Sequence, residues 1–324
     1  MSTASLSRDR PFSIGVDIGG TTSKIGIVTP DGLCLDRLTM PTQAHLPLAR
    51  FIEQFTERVA GLLNRLDPNY RCRGMGIAAP GASSRDGEMH HPTHFCWQAA
   101  NLEQGLRPYY DFPIRVINDA TAAAMGEKRF GAARGFDNFV VLTLGTGLGG
   151  GIFTDGKPLL GSRGLAGELG HMTAVPDGRW CGCGRRGCLE TYVSATGLCR
   201  TMDSLDGGLL ARSGPPRDAR RIWEEAVAGD ARAREAFEIT GSILGRAMAD
   251  LVPIFDPEAF ILFGGLTGAG DLLLDPARRA FHAGLGKPFA NDIPILFSQV
   301  PDNQAAILGA GHLFEQERSR SCPM

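Results

Sequence analysis

Hydrophobic and polar positions follow two different periods in the first part of the chain. The stretch "FSIGVDIGGTTSKIGIV" has two short apolar runs joined at glycines, and "PDG" then marks a turn into a third strand. Apolar residues recur at helical spacing in "LARFIEQFTERVAGLLNRL", which predicts an amphipathic helix. "RGMGIAAPG" is typical of a buried strand that ends in a Pro-Gly loop. The pattern therefore predicts a hairpin-rich sheet in which helices separate some of the strands.

The same theme returns further along the chain. "IRVINDATAAAMGEKRFG" predicts a strand that runs into an alanine-rich helix, and "NFVVLTLGTGLGGGIFTDGK" repeats the strand, glycine turn and strand of residues 12–32. Residues 215–253 have a helical pattern, "AFILFGGL" predicts another strand, and "NQAAILGAGHLFEQER" predicts a closing amphipathic helix. This internal repeat favours an α/β protein with two related sheets.

Composition narrows the classes of function. A chain of 324 residues with 43% hydrophobic residues can bury one large core or two moderate ones. Its 33 basic and 35 acidic residues create no overall field that favours nucleic acid or membrane. No apolar run is long enough to span a bilayer, and the N-terminus lacks the apolar core of a signal peptide. We expect a cytoplasmic protein that binds a small polar ligand, with no nucleic-acid or membrane partner.

The chain contains two units in which a glycine-rich turn joins two strands. Such a pair of units can hold the phosphates of a nucleotide, because glycine lets backbone N–H groups approach an anion closely. Neither unit is a Walker loop, and the G-x-G-x-x-G match in the second unit lacks the helix that a dinucleotide site needs. A tight hairpin without a ligand is the alternative interpretation of each turn. The candidate phosphate-binding residues are Asp17, Gly19, Gly20, Thr21, Thr22 and Lys24 in the first unit and Gly145, Thr146 and Gly147 in the second.

Four residues in "GHMTAVPDGRWCGCGRRGC" have the spacing of a metal site. His171, Cys181, Cys183 and Cys188 supply one imidazole and three thiolates, which is a complete ligand set for a structural, tetrahedral Zn²⁺. The alternatives are reduced cysteines that share a loop by chance and a redox site, but the spacing lacks a thioredoxin-like context. The five other cysteines are scattered without paired spacing, which suits a reducing compartment.

These motifs resemble those of a known family. "VDIGGTTSKIGIV" is similar to the first phosphate motif of the superfamily of actin and hexokinase, and residues 142–190 resemble the signature of the ROK family (repressors, open reading frames and kinases). Within that family the motifs look most like those of bacterial ATP-dependent glucokinases. The resemblance extends over residues 12–312.

The resemblance implies a two-lobed actin-like ATPase (ribonuclease H-like) α/β fold with the active site in the cleft between the lobes. It places a small lobe at residues 11–118, completed by a C-terminal helix at 303–318, and a large lobe with the zinc-binding loop at 119–302. It also implies a homodimer or a dimer of dimers.

The resemblance assigns roles to individual residues, with ATP and Mg²⁺ as the cofactors. Asp119 is the catalytic base that accepts the proton of the attacking hydroxyl. Asp17 approaches Mg²⁺ through water. The residues expected around the sugar are Gly81, Thr93, Asn118, Asp119, Glu168, His171 and Glu190, and those expected near the adenosine are Gly264 and Gly265.

Simpler interpretations exist for most of these residues. Asp119 is also in a position typical of a helix N-cap, and Asp17 is also typical of a strand-end carboxylate satisfied by the N–H groups of a turn. Glu168 and Glu190 are compatible with solvated surface charges. The Pro-Gly and Gly-Gly pairs are common in turns without a ligand.

The sequence departs from the family pattern near the sugar. Family members commonly place an asparagine shortly before a tryptophan, whereas "HHPTHFCWQ" has Thr93 and His94 there. We expect phosphorylation of a hexose by ATP, with glucose giving glucose 6-phosphate. The alternatives are a kinase for N-acetylmannosamine or N-acetylglucosamine and a sugar-responsive regulator. The regulator is disfavoured because only about ten residues precede the first strand, too few for a helix-turn-helix.

Overall fold

The computed structural model describes residues 10–89, 95–97, 100–207, 218–289, 292–301 and 304–314. The strands are β1 (Arg10–Ile18), β2 (Thr22–Val28), β3 (Cys34–Pro41), β4 (Tyr70–Ala79), β5 (Glu88–Met89), β6 (Ala100–Asn101), β7 (Ile114–Asn118), β8 (Phe139–Leu144), β9 (Leu148–Thr154), β10 (Lys157–Pro158), β11 (Ala259–Phe263) and β12 (Ile295–Phe297). The α-helices are α1 (Leu48–Leu63), α2 (Leu102–Leu106), α3 (Asp119–Phe130), α4 (Ala195–Leu205), α5 (Ala219–Val227), α6 (Ala231–Phe255), α7 (Asp271–Gly284) and α8 (Ala305–Gly311).

The chain divides into two compact units. The first comprises the described residues of Met1–Gly131, Leu160–Ala166 and Val300–Met324, and the second those of Ala132–Leu159 and Gly167–Gln299. The expected small lobe ended at residue 118, whereas this first unit also includes α3. The reason is that α3 packs closely against α8, so that a Cβ at Gly126 would overlap the carbonyl group of Ala305.

A five-stranded sheet forms the first unit, in the order β3-β2-β1-β4-β7. β1 pairs antiparallel with β2 and parallel with β4, which pairs parallel with β7. The predicted hairpin and third strand are therefore confirmed. Helix α1 is amphipathic as expected, because its apolar positions recur every three or four residues and face the core. Its buried side chains are Phe51, Ile52, Phe55, Val59 and Leu62.

The described part of the closing helix differs from its prediction, and residues 303 and 315–318 of the predicted helix lie outside the described residues. All seven residues of α8 are buried, so the helix has no polar face toward solvent. Glycines permit this burial, because a Cβ at Gly15 on β1 or Gly76 on β4 would overlap the carbonyl of Ile307 or Ala310. The sequence pattern predicted an amphipathic helix because it contains no information about these distant glycines.

The second unit repeats the strand order of the first. Its sheet has the order β10-β9-β8-β11-β12, in which β8 is antiparallel to β9 and parallel to β11. The internal repeat seen in the sequence is therefore a repeat of topology. The predicted helical region contains two helices, α5 and α6. The break between them lies at Gly229, whose φ of 101° ends the first helix, and at Asp230, which caps the second. Residues 215–217 lie outside the described part of the chain.

No helix among the described residues is both long enough and apolar enough to cross a membrane.

Candidate functional site

One edge of the first sheet collects most of the polar residues predicted for that unit. β1, β4 and β7 are parallel neighbours, so their carboxyl ends meet at the same edge. Asp17 is the penultimate residue of β1, Asn118 ends β7, and Gly81 lies in the turn after β4 with a φ of 65°. Lys24 pairs with Asp17 across the β1–β2 hairpin. The topology thus brings together residues that are up to about a hundred positions apart in the sequence.

The turn between β1 and β2 exposes its tip. The Gly19 N–H donates to the Thr22 carbonyl at 3.0 Å, and the Thr42 hydroxyl donates to the Gly19 carbonyl at 2.7 Å. Gly20, Thr21 and Thr22 are exposed. A fixed turn with an exposed glycine and two exposed threonine residues can present hydrogen-bond donors to an anion.

The junction of β7 and α3 separates two roles that the sequence left open. The Asn118 Oδ1 accepts hydrogen bonds from the N–H groups of Ala120 (2.9 Å) and Thr121 (3.0 Å), so Asn118 is the N-cap. Asp119 is the first helical residue, and its Oδ1 accepts from the Ala120 N–H at 2.9 Å. The alternative in which Asp119 caps the helix is wrong. Sequence reasoning missed the cap because asparagine and aspartate cap helices about equally well.

The carboxyl groups of Asp17 and Asp119 have raised pKa values. Burial raises the pKa of Asp17 to about 6, and the negative charge of Asp119 adds to this effect while Lys24 opposes it. Burial also raises the pKa of Asp119, against the opposing effect of the N–H of Ala120. The Asp119 carboxyl group therefore lies close enough to influence the titration of Asp17, and such shifted carboxyl groups are typical of functional sites.

Ser84 supports this junction and was not singled out from the sequence. Its hydroxyl accepts a hydrogen bond from the Asn118 N–H at 3.1 Å, and its own N–H donates to the Gly164 carbonyl at 3.0 Å. Ser84 therefore connects residues 160–166 to the strand end that carries Asp119. A serine in a turn gives no pattern by which this contact could have been predicted.

The second unit has a corresponding edge made of glycine turns. Gly145 and Gly147 lie between β8 and β9, and Gly264 follows β11, the parallel neighbour of β8. Gly264 has a φ of 109°, and a Cβ there would lie 2.6 Å from the Leu144 carbonyl oxygen, so the residue must be glycine. The structure thus brings together the turn residues predicted for this unit, namely Gly145, Thr146, Gly147, Gly264 and Gly265.

The four predicted metal ligands form a cluster in the second unit. One ligand atom from each of His171, Cys181, Cys183 and Cys188 lies within 4.8 Å of the others. The Cys183 and Cys188 Sγ atoms are 3.6 Å apart, and the Cys181 Sγ is 3.6 Å from the His171 Nδ1. A tetrahedral ion with Zn–S bonds of about 2.3 Å separates two sulfurs by about 3.8 Å, so the cluster fits an ion of this kind.

Both glutamates lie beside the cluster. The Glu190 Oε1 is 2.9 Å from the Cys181 Sγ and 3.7 Å from the His171 Nδ1, and the Glu168 Oε2 is 4.0 Å from the His171 Nε2. Burial raises the pKa of the Cys181 thiol, and the Glu190 carboxyl group raises it further. A metal ion would reverse this effect by favouring the thiolate.

Glu190 also borders the glycine turn. A Cβ at Gly147 would lie 3.0 Å from the Glu190 Oε2, and the Ala195 N–H donates to the Gly145 carbonyl at 2.8 Å. The metal cluster, the two glutamates and the β8–β9 turn are therefore one contiguous region of the second unit. Thr93 and His94, where the sequence departs from the family pattern, lie outside the described residues.

Comparisons with known proteins agree with these features. Residues 13–317 match the sequence model of the ROK family. The glucokinase of Halalkalibacterium halodurans is 34% identical over 327 residues, covering 94% of this chain and 96% of that protein. The glucokinase of Thermotoga maritima is also 34% identical, over 312 residues that cover 94% of this chain and 97% of that protein.

A solved structure extends the comparison to the fold. The crystal structure of a ROK family glucokinase from Streptomyces griseus in complex with glucose and AMPPNP has a TM-score of 0.83 and 33% identity. The match covers 94% of this chain and 99% of that chain. The two mixed sheets are those of the two-lobed actin-like ATPase fold, which confirms the expected fold class. On its sequence and its fold, this chain is a member of the ROK family.

Proposed function

We propose that this chain is an ATP-dependent hexokinase that converts glucose to glucose 6-phosphate. The observation that carries the proposal is the position of Asp119, which begins α3 beside Asp17 with a raised pKa. A buried carboxylate whose pKa is raised is a stronger proton acceptor and is suited to general-base catalysis. The glucokinase relatives and their share of the chain support the same reaction.

Asp119 is the base in this proposal. Its carboxylate accepts the proton of the sugar's primary hydroxyl while the hydroxyl oxygen bonds to the γ-phosphorus and ADP leaves. The Oδ1 of Asn118 accepts the hydrogen bonds that cap the start of α3. Its Nδ2–H groups are then the donors that remain for a sugar oxygen. Gly81 has a left-handed backbone conformation, and the turn that it allows after β4 would border the sugar.

ATP and Mg²⁺ would supply the transferred phosphoryl group and the positive charge that neutralises it. The exposed turn that contains Gly19, Gly20, Thr21 and Thr22 is suited to phosphate oxygens, with Lys24 as the nearby cation. Asp17 would approach Mg²⁺ through water, since Mg²⁺ keeps much of its hydration shell. In the second unit, Gly145, Thr146 and Gly147 would hold phosphates, and Gly264 and Gly265 would border the adenosine.

We assign Glu168, His171 and Glu190 to the sugar hydroxyls, for which carboxylates are strong acceptors. The zinc assignment explains how His171 serves two roles. Its Nδ1 faces the sulfur cluster, which leaves the Nε2–H on the side of Glu168 to donate to the sugar. Zn²⁺ is the ion we propose, because three thiolates and one imidazole complete its tetrahedral shell without water.

The proposal also extends to location and assembly. A cytoplasmic protein suits this site, because a reducing compartment keeps cysteine thiols from forming disulfides. We expect a homodimer or a dimer of dimers, which light scattering on the purified protein measures directly.

A sugar screen tests the preferred substrate. ADP release is measured with glucose, mannose, fructose, N-acetylmannosamine and N-acetylglucosamine at matched concentrations. Glucose should give the highest kcat/KM, with mannose as a secondary substrate. Preference for an N-acetylated hexosamine would replace the glucose assignment with the alternative kinase.

A further inference from the structure

Arg179 joins the metal-binding loop to the segment that carries Glu190. Its Nη1 donates hydrogen bonds to the carbonyl oxygens of Thr191 (2.9 Å) and Gly197 (3.1 Å) and to the hydroxyl of Thr201 (3.0 Å). One side chain therefore connects the loop, the turn that contains Glu190 and helix α4.

The backbone of Arg179 strengthens the same junction. Its N–H donates to the Tyr192 hydroxyl at 2.9 Å, and its carbonyl accepts from the Gly187 N–H at 2.8 Å. The guanidinium carbon lies 4.4 Å from the centre of the Tyr192 ring, in the range of a cation–π contact. The residue is thus fixed at both its backbone and its side chain.

Among the described residues, no carboxylate forms a salt bridge with Arg179. Within the described part of the chain, its guanidinium group has carbonyl and hydroxyl acceptors and an aromatic ring as partners. A half-buried cation without a counter-ion is costly, so this arrangement is better explained by positioning than by stability alone.

The contacts lead directly to Glu190. The Thr191 carbonyl that Arg179 binds belongs to the next residue after Glu190, and the Ser194 hydroxyl, which accepts from the Gly197 N–H at 2.9 Å, donates to the Glu190 carbonyl at 2.7 Å. Ser194 therefore holds the carbonyl of Glu190, and Arg179 holds the carbonyl of the next residue, Thr191. Neither contact uses a metal ligand.

We propose that Arg179 is a positioning residue that sets the place of Glu190 for sugar binding. This inference rests on the proposed function, since it assumes that Glu190 contacts the sugar. Arg179 acts through the backbone of Glu190, so its loss affects affinity for glucose and leaves affinity for ATP and the metal content unchanged. An arginine that only stabilised the fold would affect these quantities together.

A double-mutant cycle tests the proposal in the metal-loaded protein. Arg179→Gln is made in the wild type and in Glu190→Gln, and glucose affinity is measured by calorimetry, with saturation-transfer NMR for weak binding. Hydrogen bonds from a charged donor are worth a factor of about ten or more in affinity, so Arg179→Gln should weaken glucose binding by about tenfold in the wild type. In the Glu190→Gln background the same change should have less than about a twofold effect.

The controls separate the possible results. Arg186→Gln removes an arginine of the same loop that stacks on the exposed Trp180, and it should leave glucose affinity unchanged. An equal loss in both backgrounds, no loss in the wild type, or a loss of metal on Arg179→Gln would overturn the proposal.

Thr201→Val provides a milder variant if Arg179→Gln does not fold. It removes one acceptor of Arg179 and should weaken glucose binding about threefold, again only where Glu190 is present. Equal effects in both backgrounds, or none, would contradict the positioning role. Absence of glucose binding by the wild type would instead overturn the proposed function.

Discussion

The two glycine hairpins have the same topology but different chemistry. In the first, Asp17 pairs with Lys24, and residues 19–22 lie between the last paired residues, Ile18 and Ser23. In the second, Thr143 pairs with Gly149, and residues 145–147 form a turn that is one residue shorter. The Gly149 N–H donates to the Thr143 hydroxyl at 3.1 Å. At the position where the first hairpin pairs an acidic with a basic residue, the second hairpin therefore has a hydrogen bond between uncharged groups.

This difference indicates a division of roles. The first unit places two carboxyl groups with raised pKa values at its sheet edge, which is suited to proton transfer. The second unit has an uncharged hairpin, and its charged groups lie beside the loop that contains the four candidate metal ligands. Under the proposed function, the repeated scaffold would support proton transfer in one copy and ligand positioning in the other.

The largest expected effect is the loss of catalysis in Asp119→Asn. Turnover should fall by about 10² or more, because the amide cannot accept the proton. Thermal stability should not fall, since Asn118 caps the helix, the new amide oxygen can still accept from the Ala120 N–H, and the substitution removes a buried carboxylate. Steady-state kinetics and thermal unfolding measure both quantities. A variant that keeps most of its turnover would return Asp119 to a structural role.

The next effect concerns the metal cluster. Cys183→Ser should lose the metal, because one ligand of a closed tetrahedral site is removed, and glucose affinity should fall by about tenfold or more as Glu168 and Glu190 lose their places. Metal analysis and glucose titration are the measurements, with Cys34→Ser in the first unit as a matched control that keeps the metal. Less than about half an equivalent of zinc in freshly purified wild type would contradict the assignment.

The charged hairpin should also affect stability in a pH-dependent way. The pKa of Asp17 is about 6 in the folded chain against an ordinary 3.8, so the native state binds the extra proton between these values. Stability should therefore fall as pH rises through this window. Asp17→Asn should reduce that slope and stabilise the protein at pH 7 by about 1–3 kcal/mol, measured by urea unfolding at pH 4, 5, 6 and 7. An unchanged slope would show that Asp17 titrates normally.

The smallest effect is expected in the neutral hairpin. Thr143→Val keeps the shape of the side chain but leaves the Gly149 N–H without its acceptor, which should cost about 0.5–1.5 kcal/mol of unfolding free energy. The slope of stability against pH should stay that of the wild type. A changed slope would mean that the contrast between the two hairpins is not one of charge.

The sequence predicted those features that depend on local patterns. Both hairpins follow from apolar runs around glycines, and the metal cluster follows from ligand spacing over residues 171–188. Features that depend on distant contacts were missed. The burial of α8 depends on Gly15 in β1 and Gly76 in β4, which are distant in the sequence. Arg179 lies in no motif that distinguishes it from Arg186 in the same loop.

Product analysis is the most direct test of phosphoryl transfer to a hexose. The purified protein is incubated with ATP, Mg²⁺ and glucose, and the products are followed by phosphorus-31 NMR. Glucose 6-phosphate and ADP should form in equal amounts, and Asp119→Asn should form both far more slowly. Formation of ADP and inorganic phosphate without a sugar phosphate, or no turnover with any hexose, would contradict the proposed function.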